Sequence, residues 1–182
     1  PNSRVVVVDS LTSCMAQGIM LLDAATMRDA GKTIDEIAKY IEDNRLCYNQ
    51  AATVEDLTTL AKHGRVKAAA AFFGNIFGVK PMLVSDANGM NYAVEKQKGR
   101  RNALLRIISM VQERVVDPKK QDCYVTTAEA KQEDVDLLVE GLKKVGFRKV
   151  IVQNFGPIIS ASCGPATIGA YYKGQPETRV GE

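Results

Sequence analysis

Residues 5–25 read VVVVDSLTSCMAQGIMLLDAA, and this stretch decides the fold. The four valines are β-branched and too few for a helix, so they predict a strand buried on both faces, as in a parallel sheet. From residue 15 the apolar residues take up helical spacing, and Ser10, Thr12 and Ser13 supply capping hydroxyls just before them. The start of that helix offers unpaired backbone N–H groups to an anion, although the hydroxyls can equally serve only to cap their own helix.

The composition indicates an ordinary globular protein. The chain has 182 residues, of which 46% are hydrophobic, enough for one substantial core. Its 24 basic and 21 acidic residues give a formal charge of +3, which predicts no nucleic-acid partner. The sequence shows neither an apolar run of membrane-spanning length nor a signal peptide, so we expect a cytoplasmic protein without membrane insertion.

Cysteine and histidine are too scattered for the usual metal and nucleophile sites. Cys14, Cys47, Cys123 and Cys163 stand far apart, without the spacing of a zinc site or a disulfide framework. His63 is the only histidine of the chain. We therefore expect no metal, no cofactor and no catalytic Ser-His-Asp or Cys-His pair.

Beyond the first βα unit, helical and strand patterns follow one another. The first helix is predicted to end at Gly31, and Thr33 with Glu36 predicts a capping box at the start of a second helix. A break at residues 43–45 divides the chain into an N-terminal part, residues 1–44, and a C-terminal part, residues 45–182. Because the first strand needs neighbours on both sides, we expect the complete sheet to include a portion ahead of residue 1.

The C-terminal part carries several further local signals. They predict a short helix at 54–62, a hairpin around the Asn-Gly turn at 88–89, an amphipathic helix after a basic cluster, strands at 123–127, 149–153 and 168–172, a helix at 133–144, a tight small-residue loop at 156–165 and a loose tail at 175–182.

An alanine tract and three of the five phenylalanines lie together in GRVKAAAAFFGNIFGVKP, residues 64–81. Small side chains beside a cluster of rings can fill a core or line an elongated apolar cavity. The residues alone leave both interpretations open.

Five segments, in this order, resemble the DegV family of bacterial fatty-acid-binding proteins: VVDSLTSCMAQGIMLLDAA, GKTIDEIAKYIED, LTTLAKHGRVKAAAAFFGNIFGVKPML, EKQKGRRNAL and FGPIISASCGPATIGAYY. The resemblance implies an α/β fold of two domains, a partial parallel-sheet domain at 1–44 and an α+β domain with a mixed sheet at 45–182. It also implies a non-enzymatic protein that binds a long-chain fatty acid, carboxylate at the domain interface, and presents it to a separate fatty acid kinase.

The resemblance also implies site residues. The carboxylate would lie among Ser10, Ser13, Cys14, Lys98, Ser162 and Cys163. The acyl tail would lie among Ala70, Phe72, Phe73, Ile76 and Phe77. Cys14, Lys98, Ser162 and Cys163 replace the serine, arginine, histidine and threonine of the family pattern, and Cys14 and Cys163 would meet across the interface as free thiols.

The altered head-group pattern leaves two other interpretations. The chain could be a subunit that handles a small metabolite, as in the related dihydroxyacetone kinases. It could also be a regulatory domain with a vestigial pocket.

Overall fold

A computed structural model of the chain describes residues 3–55, 57–66 and 78–181. The helices of these residues are α1 (Cys14–Asp29), α2 (Ile34–Asn44), α3 (Thr58–Lys62), α4 (Arg100–Arg114), α5 (Gln132–Val145) and α6 (Pro157–Cys163), with 3-10 turns at Arg45–Cys47 and Pro118–Lys120. The strands are β1 (Tyr48–Thr53), β2 (Val79–Ser85), β3 (Asn91–Lys98), β4 (Asp122–Ala128), β5 (Lys149–Asn154) and β6 (Thr167–Lys173). Of the helices described, none combines the length and apolar composition needed to cross a bilayer.

The six strands form one mixed sheet in the order β3-β2-β1-β6-β4-β5. The neighbours β4 and β5 are parallel and are connected through α5, whereas the other neighbouring pairs of this sheet are antiparallel. The predicted α/β class with a mixed sheet is therefore confirmed.

Helices cover both faces of the sheet. On one face, Leu104 and Ile107 of α4 and Leu138 of α5 pack into the main core together with Ala51 of β1. The next residue along β1, Ala52, belongs to a separate apolar cluster with residues from α3 and α6, because successive side chains of a strand point to opposite faces. A third cluster joins α1 to the sheet on this second face.

The N-terminal valines differ from the prediction. Val5 and Val7 are 78% and 88% exposed, and no strand of the described sheet pairs with residues 5–8. A strand buried on both faces needs partners along both edges, and the sheet ends at β3 and β5 without reaching this segment. The prediction of a buried strand is thus wrong for this chain, whereas the predicted helix after it is confirmed from Cys14 to Asp29.

Some predictions from local signals are confirmed and others are wrong. Thr33 and Glu36 form the predicted capping box, and β2 and β3 form the predicted hairpin. The helix predicted from residue 54 begins only at Thr58, since Thr53 is the last residue of β1. The stretch predicted as a tight loop contains α6, because proline has a fixed φ that suits the first turn of a helix.

The C-terminal residues are fixed to the rest of the chain by hydrogen bonds. The Glu177 N–H donates to the carbonyl of Leu46 at 2.9 Å, and the Ala87 N–H donates to the carbonyl of Arg179 at 2.8 Å. The Glu177 side chain is buried beside the Arg179 guanidinium, whose Nε donates to it at 2.8 Å. The prediction of a loose tail is wrong because these partners are distant in sequence.

Candidate functional site

A cavity of about 360 Å³ lies on the face of the sheet that carries α3 and α6. This volume is within the range of small-molecule sites, about 300–1,000 Å³. Its described apolar lining includes Ala52, Val54, Leu60, Leu83, Phe155, Ile158 and Ile159, and its polar lining includes Ser13, Cys14, Gln50, Arg65, Asn91, Ser162 and Thr167. The cavity is therefore mainly apolar, with a small number of polar groups.

Alternation along β1 explains the floor of the cavity. Gln50, Ala52 and Val54 are two residues apart, so their side chains share the face that carries α3 and α6. Opposite Ala52 lies Gly169 of β6, where an added Cβ would approach the Ala52 Cβ to 2.9 Å. Because both residues are small, no bulky side chain projects from this part of the sheet into the cavity.

The loop ahead of α1 borders the cavity and is fixed to the β2–β3 hairpin. The Thr12 and Ser85 hydroxyl oxygens are 3.2 Å apart. A Cβ on Gly89, in the hairpin turn at φ +79, would lie 2.9 Å from the Leu11 Cα. Leu11 and Cys14 adopt φ values of +49 and +56, which non-glycine residues rarely do. Strain of this kind is common at functional sites.

The first turn of α1 has no side-chain cap, contrary to the prediction. Ser13 occupies the N-cap position but accepts no capping hydrogen bond, and the Ser10 hydroxyl donates instead to the carbonyl of Thr12 at 3.0 Å. The first backbone N–H groups of a helix point away from it and carry partial positive charge. The start of α1 can therefore receive an anion at the edge of the cavity.

Two cysteines and a tyrosine contribute neutral polar groups to the lining. Cys14 and Cys163 are both free thiols and both line this cavity. Burial raises the pKa of the Cys163 thiol. Burial, and next the adjacent Cys14 side chain, raise the pKa of the Tyr171 hydroxyl well above its usual value. Cys163 and Tyr171 therefore bring no charge to the site at neutral pH.

Four of the six predicted carboxylate residues meet at the cavity: Ser13, Cys14, Ser162 and Cys163. Within that group, the Ser162 hydroxyl already donates to the carbonyl of Ile158 at 2.8 Å. Ser10 lies close by in the same loop but is not part of the lining. Whether any of the four binds a carboxylate stays a prediction.

The structure does not bring Lys98 to the cavity. Lys98 is the last residue of β3, and Asn91, which lines the cavity, is the first. Seven residues of a β-strand span roughly 23 Å. Among the residues that the structure describes, the cation that lines the cavity is Arg65, which precedes Val66, the partner of Asn91 in a short parallel bridge.

The cavity is also lined by Gln50, Arg65 and Asn91, which no sequence motif predicted. The Gln50 Nε2 donates to the Asn91 Oδ1 at 3.1 Å, although the two residues are 41 positions apart. A glutamine within a strand whose six residues are all buried is a signal that could have been noticed. No local pattern singles out Asn91 or Arg65.

The five predicted acyl-tail residues, Ala70, Phe72, Phe73, Ile76 and Phe77, lie outside the described residues. The described residues that lead toward them, Gly64 and Arg65, line the cavity.

The family model of DegV, described as "Uncharacterised protein, DegV family", matches residues 1–174. A DegV domain-containing protein of Clostridium perfringens is 29% identical over 175 residues, which is 96% of this chain and 60% of that protein. The protein DegV of Bacillus subtilis is 28% identical over 169 residues, 92% of this chain and 60% of that protein. The chain thus spans about 60% of the length of these curated relatives.

Solved structures share the fold at low sequence identity. A DegV family protein of Ruminococcus gnavus, named with vaccenic acid, has a TM-score of 0.83 at 19% identity and covers 93% of this chain and 60% of its own. A fatty acid binding DegV family protein of Streptococcus agalactiae has a TM-score of 0.82 at 24% identity, with coverages of 94% and 60%. The Streptococcus pneumoniae Fatty Acid Kinase (Fak) B3 protein, loaded with linoleic acid, has a TM-score of 0.81 at 12% identity, with coverages of 95% and 61%. With its family model matched over nearly its whole length, the chain belongs to the DegV family.

Proposed function

We propose that the protein carrying this chain binds a long-chain fatty acid in the cavity between α6 and the sheet. The carboxylate lies at the start of α1, beside Ser13 and Cys14, and the acyl tail follows the apolar wall formed by Val54, Leu60 and Leu83. The protein is a non-enzymatic carrier that works in the cytoplasm.

The observation that carries this proposal is the pairing of an apolar cavity with an uncapped helix start at its edge. A fatty acid needs one dry surface for its methylenes and one set of donors for its carboxylate. Two of the similar structures are named with vaccenic acid and with linoleic acid, which are ligands of this chemical class.

The acyl tail dominates the expected affinity. Burying one methylene contributes about 0.8 kcal/mol, so about fourteen methylenes contribute roughly 11 kcal/mol before the cost of association. Each head-group hydrogen bond adds about 1–3 kcal/mol. Replacement of the family's histidine position by Ser162 therefore tunes head-group recognition without removing the capacity to bind a lipid.

The two-domain division belongs to the same proposal. Residues 1–44 provide the loop and α1, and residues 45–182 provide the sheet and α6, so the carboxylate would lie where the two parts meet. We further propose that the protein presents the bound acid to a separate fatty acid kinase, in keeping with the name of the similar pneumococcal protein.

Mass spectrometry of lipids released by denaturing the purified, full-length protein tests the ligand. We expect a long-chain fatty acid in about equimolar amount. Palmitate and oleate should also raise the melting temperature of delipidated protein, whereas dihydroxyacetone and ATP should not. Lipid-free protein from several preparations, together with a response to dihydroxyacetone, would favour the small-metabolite alternative.

The kinase role needs a separate assay. Loaded protein, a cognate fatty acid kinase and ATP should yield an acyl phosphate. Retained lipid without phosphorylation would leave the binding function in place and refute the presenting role.

A further inference from the structure

The Gln50 and Asn91 side chains form a polar pair inside an otherwise greasy cavity. Gln50 is only 6% exposed and lies on the central strand β1, while Asn91 starts β3. Their amides are joined by a hydrogen bond of 3.1 Å, and both residues line the cavity. Burying amide groups beside apolar surface is unfavourable unless their donors and acceptors find partners.

Most of the hydrogen-bonding capacity of this pair is unused. One Gln50 N–H reaches Asn91, which leaves the second Gln50 N–H and both Asn91 side-chain N–H groups. Within 3–55, 57–66 and 78–181, these groups have no other hydrogen-bond partner. The Asn91 Nδ2 is not among the fully buried, unpartnered side-chain atoms of the described residues, which belong to Thr53, Arg100 and Thr126. Gln50 and Asn91 both line the cavity, so their unused N–H groups lie at its wall.

The pair lies close to the proposed carboxylate position. Gln50 is the cross-strand neighbour of Tyr171, whose hydroxyl is adjacent to Cys14. Asn91 is the cross-strand neighbour of Ser85, which contacts Thr12 in the loop before α1. Each amide is thus next to a residue that itself contacts the segment around the start of α1.

Two other hydroxyl groups near this position are already engaged. The Ser10 and Ser162 hydroxyls donate to backbone carbonyls of Thr12 and Ile158. Arg65 is exposed and supplies charge at the rim rather than a buried, oriented donor. Gln50 is buried and Asn91 is half-buried, and both lie on strands of the sheet, which fixes where their amide groups lie.

We infer that the Gln50–Asn91 amide pair hydrogen-bonds the carboxylate of the bound lipid and selects free acids over lipids with a neutral head group. This inference rests on the proposed function and deepens it by naming the residues that recognise the acid. A carboxylate accepts hydrogen bonds at both oxygens, whereas an alcohol of the same chain length uses only one oxygen.

The test compares palmitate with hexadecanol, which share a C16 tail, by titration calorimetry on delipidated full-length protein. Gln50→Leu and Asn91→Leu should each weaken palmitate binding about tenfold, the loss of one hydrogen bond to a charged group, and leave hexadecanol within twofold. Gln97→Leu, on the same hairpin but outside the cavity lining, should bind both ligands as the unaltered protein does.

Asn91→Asp provides a second variant, which is nearly isosteric and still accepts the hydrogen bond from the Gln50 N–H at a half-buried position. Its carboxylate should exclude palmitate by like-charge repulsion while hexadecanol still binds. Parallel losses for both ligands in folded variants, or an unchanged ratio of palmitate to hexadecanol affinity, would overturn the inference and leave the proposed function standing. Unaltered protein that binds neither ligand would overturn both.

Discussion

Arg65 and Lys98 show how position in the fold separates two residues of equal charge. Arg65 lines the cavity, whereas Lys98 lies exposed at the far end of β3. The family pattern predicted Lys98 at the carboxylate from its place in the order of the sequence. A sequence pattern carries no distances, and β3 separates Lys98 from the cavity by the length of the strand.

These two cations give a prediction at the residue scale. Arg65→Gln should weaken palmitate binding about threefold to fivefold, since an exposed ion pair contributes at most about 1 kcal/mol. Added salt should shrink this difference by screening. Lys98→Gln should leave the affinity unchanged in the same calorimetric titration. A larger loss for Lys98→Gln than for Arg65→Gln would contradict the placement of the head group.

The polar residues of the site illustrate why sequence reasoning reached only part of it. Ser13, Cys14, Ser162 and Cys163 belong to motifs, so the resemblance located them. The Gln50–Asn91 hydrogen bond depends on the pairing of β1 with β2 and of β2 with β3. Register between strands is a property of the folded sheet, and no spacing along the chain expresses it.

At the scale of elements, signals contained within a few residues gave correct predictions. The capping box at Thr33 and the Asn-Gly turn between β2 and β3 each need only four to six neighbouring residues. The prediction of a tight loop at 156–165 was wrong, because this stretch contains α6, and the prediction of a loose tail at 175–182 was also wrong. In the tail, the deciding contacts reach back to Leu46 and Ala87, which no local pattern could reveal.

The C-terminal segment gives a prediction at this scale. The pKa of the Glu177 carboxyl is lowered: burial by itself would raise it, but hydrogen bonds from the Arg179 side chain and backbone more than offset that effect. A lowered folded-state pKa means that the stabilisation is fully present above the ordinary glutamate pKa of about 4.5 and is lost as pH falls through the folded-state value.

Glu177→Gln should therefore lower the free energy of unfolding at pH 7 by about 1–2 kcal/mol. The difference from the unaltered chain should decline below pH 4.5 and be lost once the pH has fallen through the lowered folded-state pKa. Urea unfolding followed by circular dichroism at several pH values measures this. Glu42→Gln, on an exposed position of α2, should change stability by less than about 0.5 kcal/mol at each pH. A pH-independent difference for Glu177→Gln would mean that packing, and not the ionised carboxylate, holds the segment.

At the scale of the whole molecule, the sheet order places the cavity. The strands β1, β2, β3 and β6 all contribute lining residues, and β1 lies between β2 and β6. Sequence patterns predicted most of these strands, and the resemblance to the family implied a mixed sheet. The order β3-β2-β1-β6-β4-β5 brings residue 50 beside residue 171, and that long-range arrangement could not be predicted from periodicity.

The three exposed valines, Val5, Val6 and Val7, have a consequence for how the 182-residue chain behaves at high concentration. A short, uncharged, β-branched run with unpaired backbone groups is a template for intermolecular strand addition. We expect concentration-dependent self-association of this chain in light scattering, with a rise in thioflavin fluorescence on prolonged incubation. Val7→Lys should suppress both signals and leave the melting temperature unchanged, because the Val7 side chain is 88% exposed. The β-branched side chains that favour a buried strand in the sequence would thus, while exposed, form the site at which copies of the chain associate.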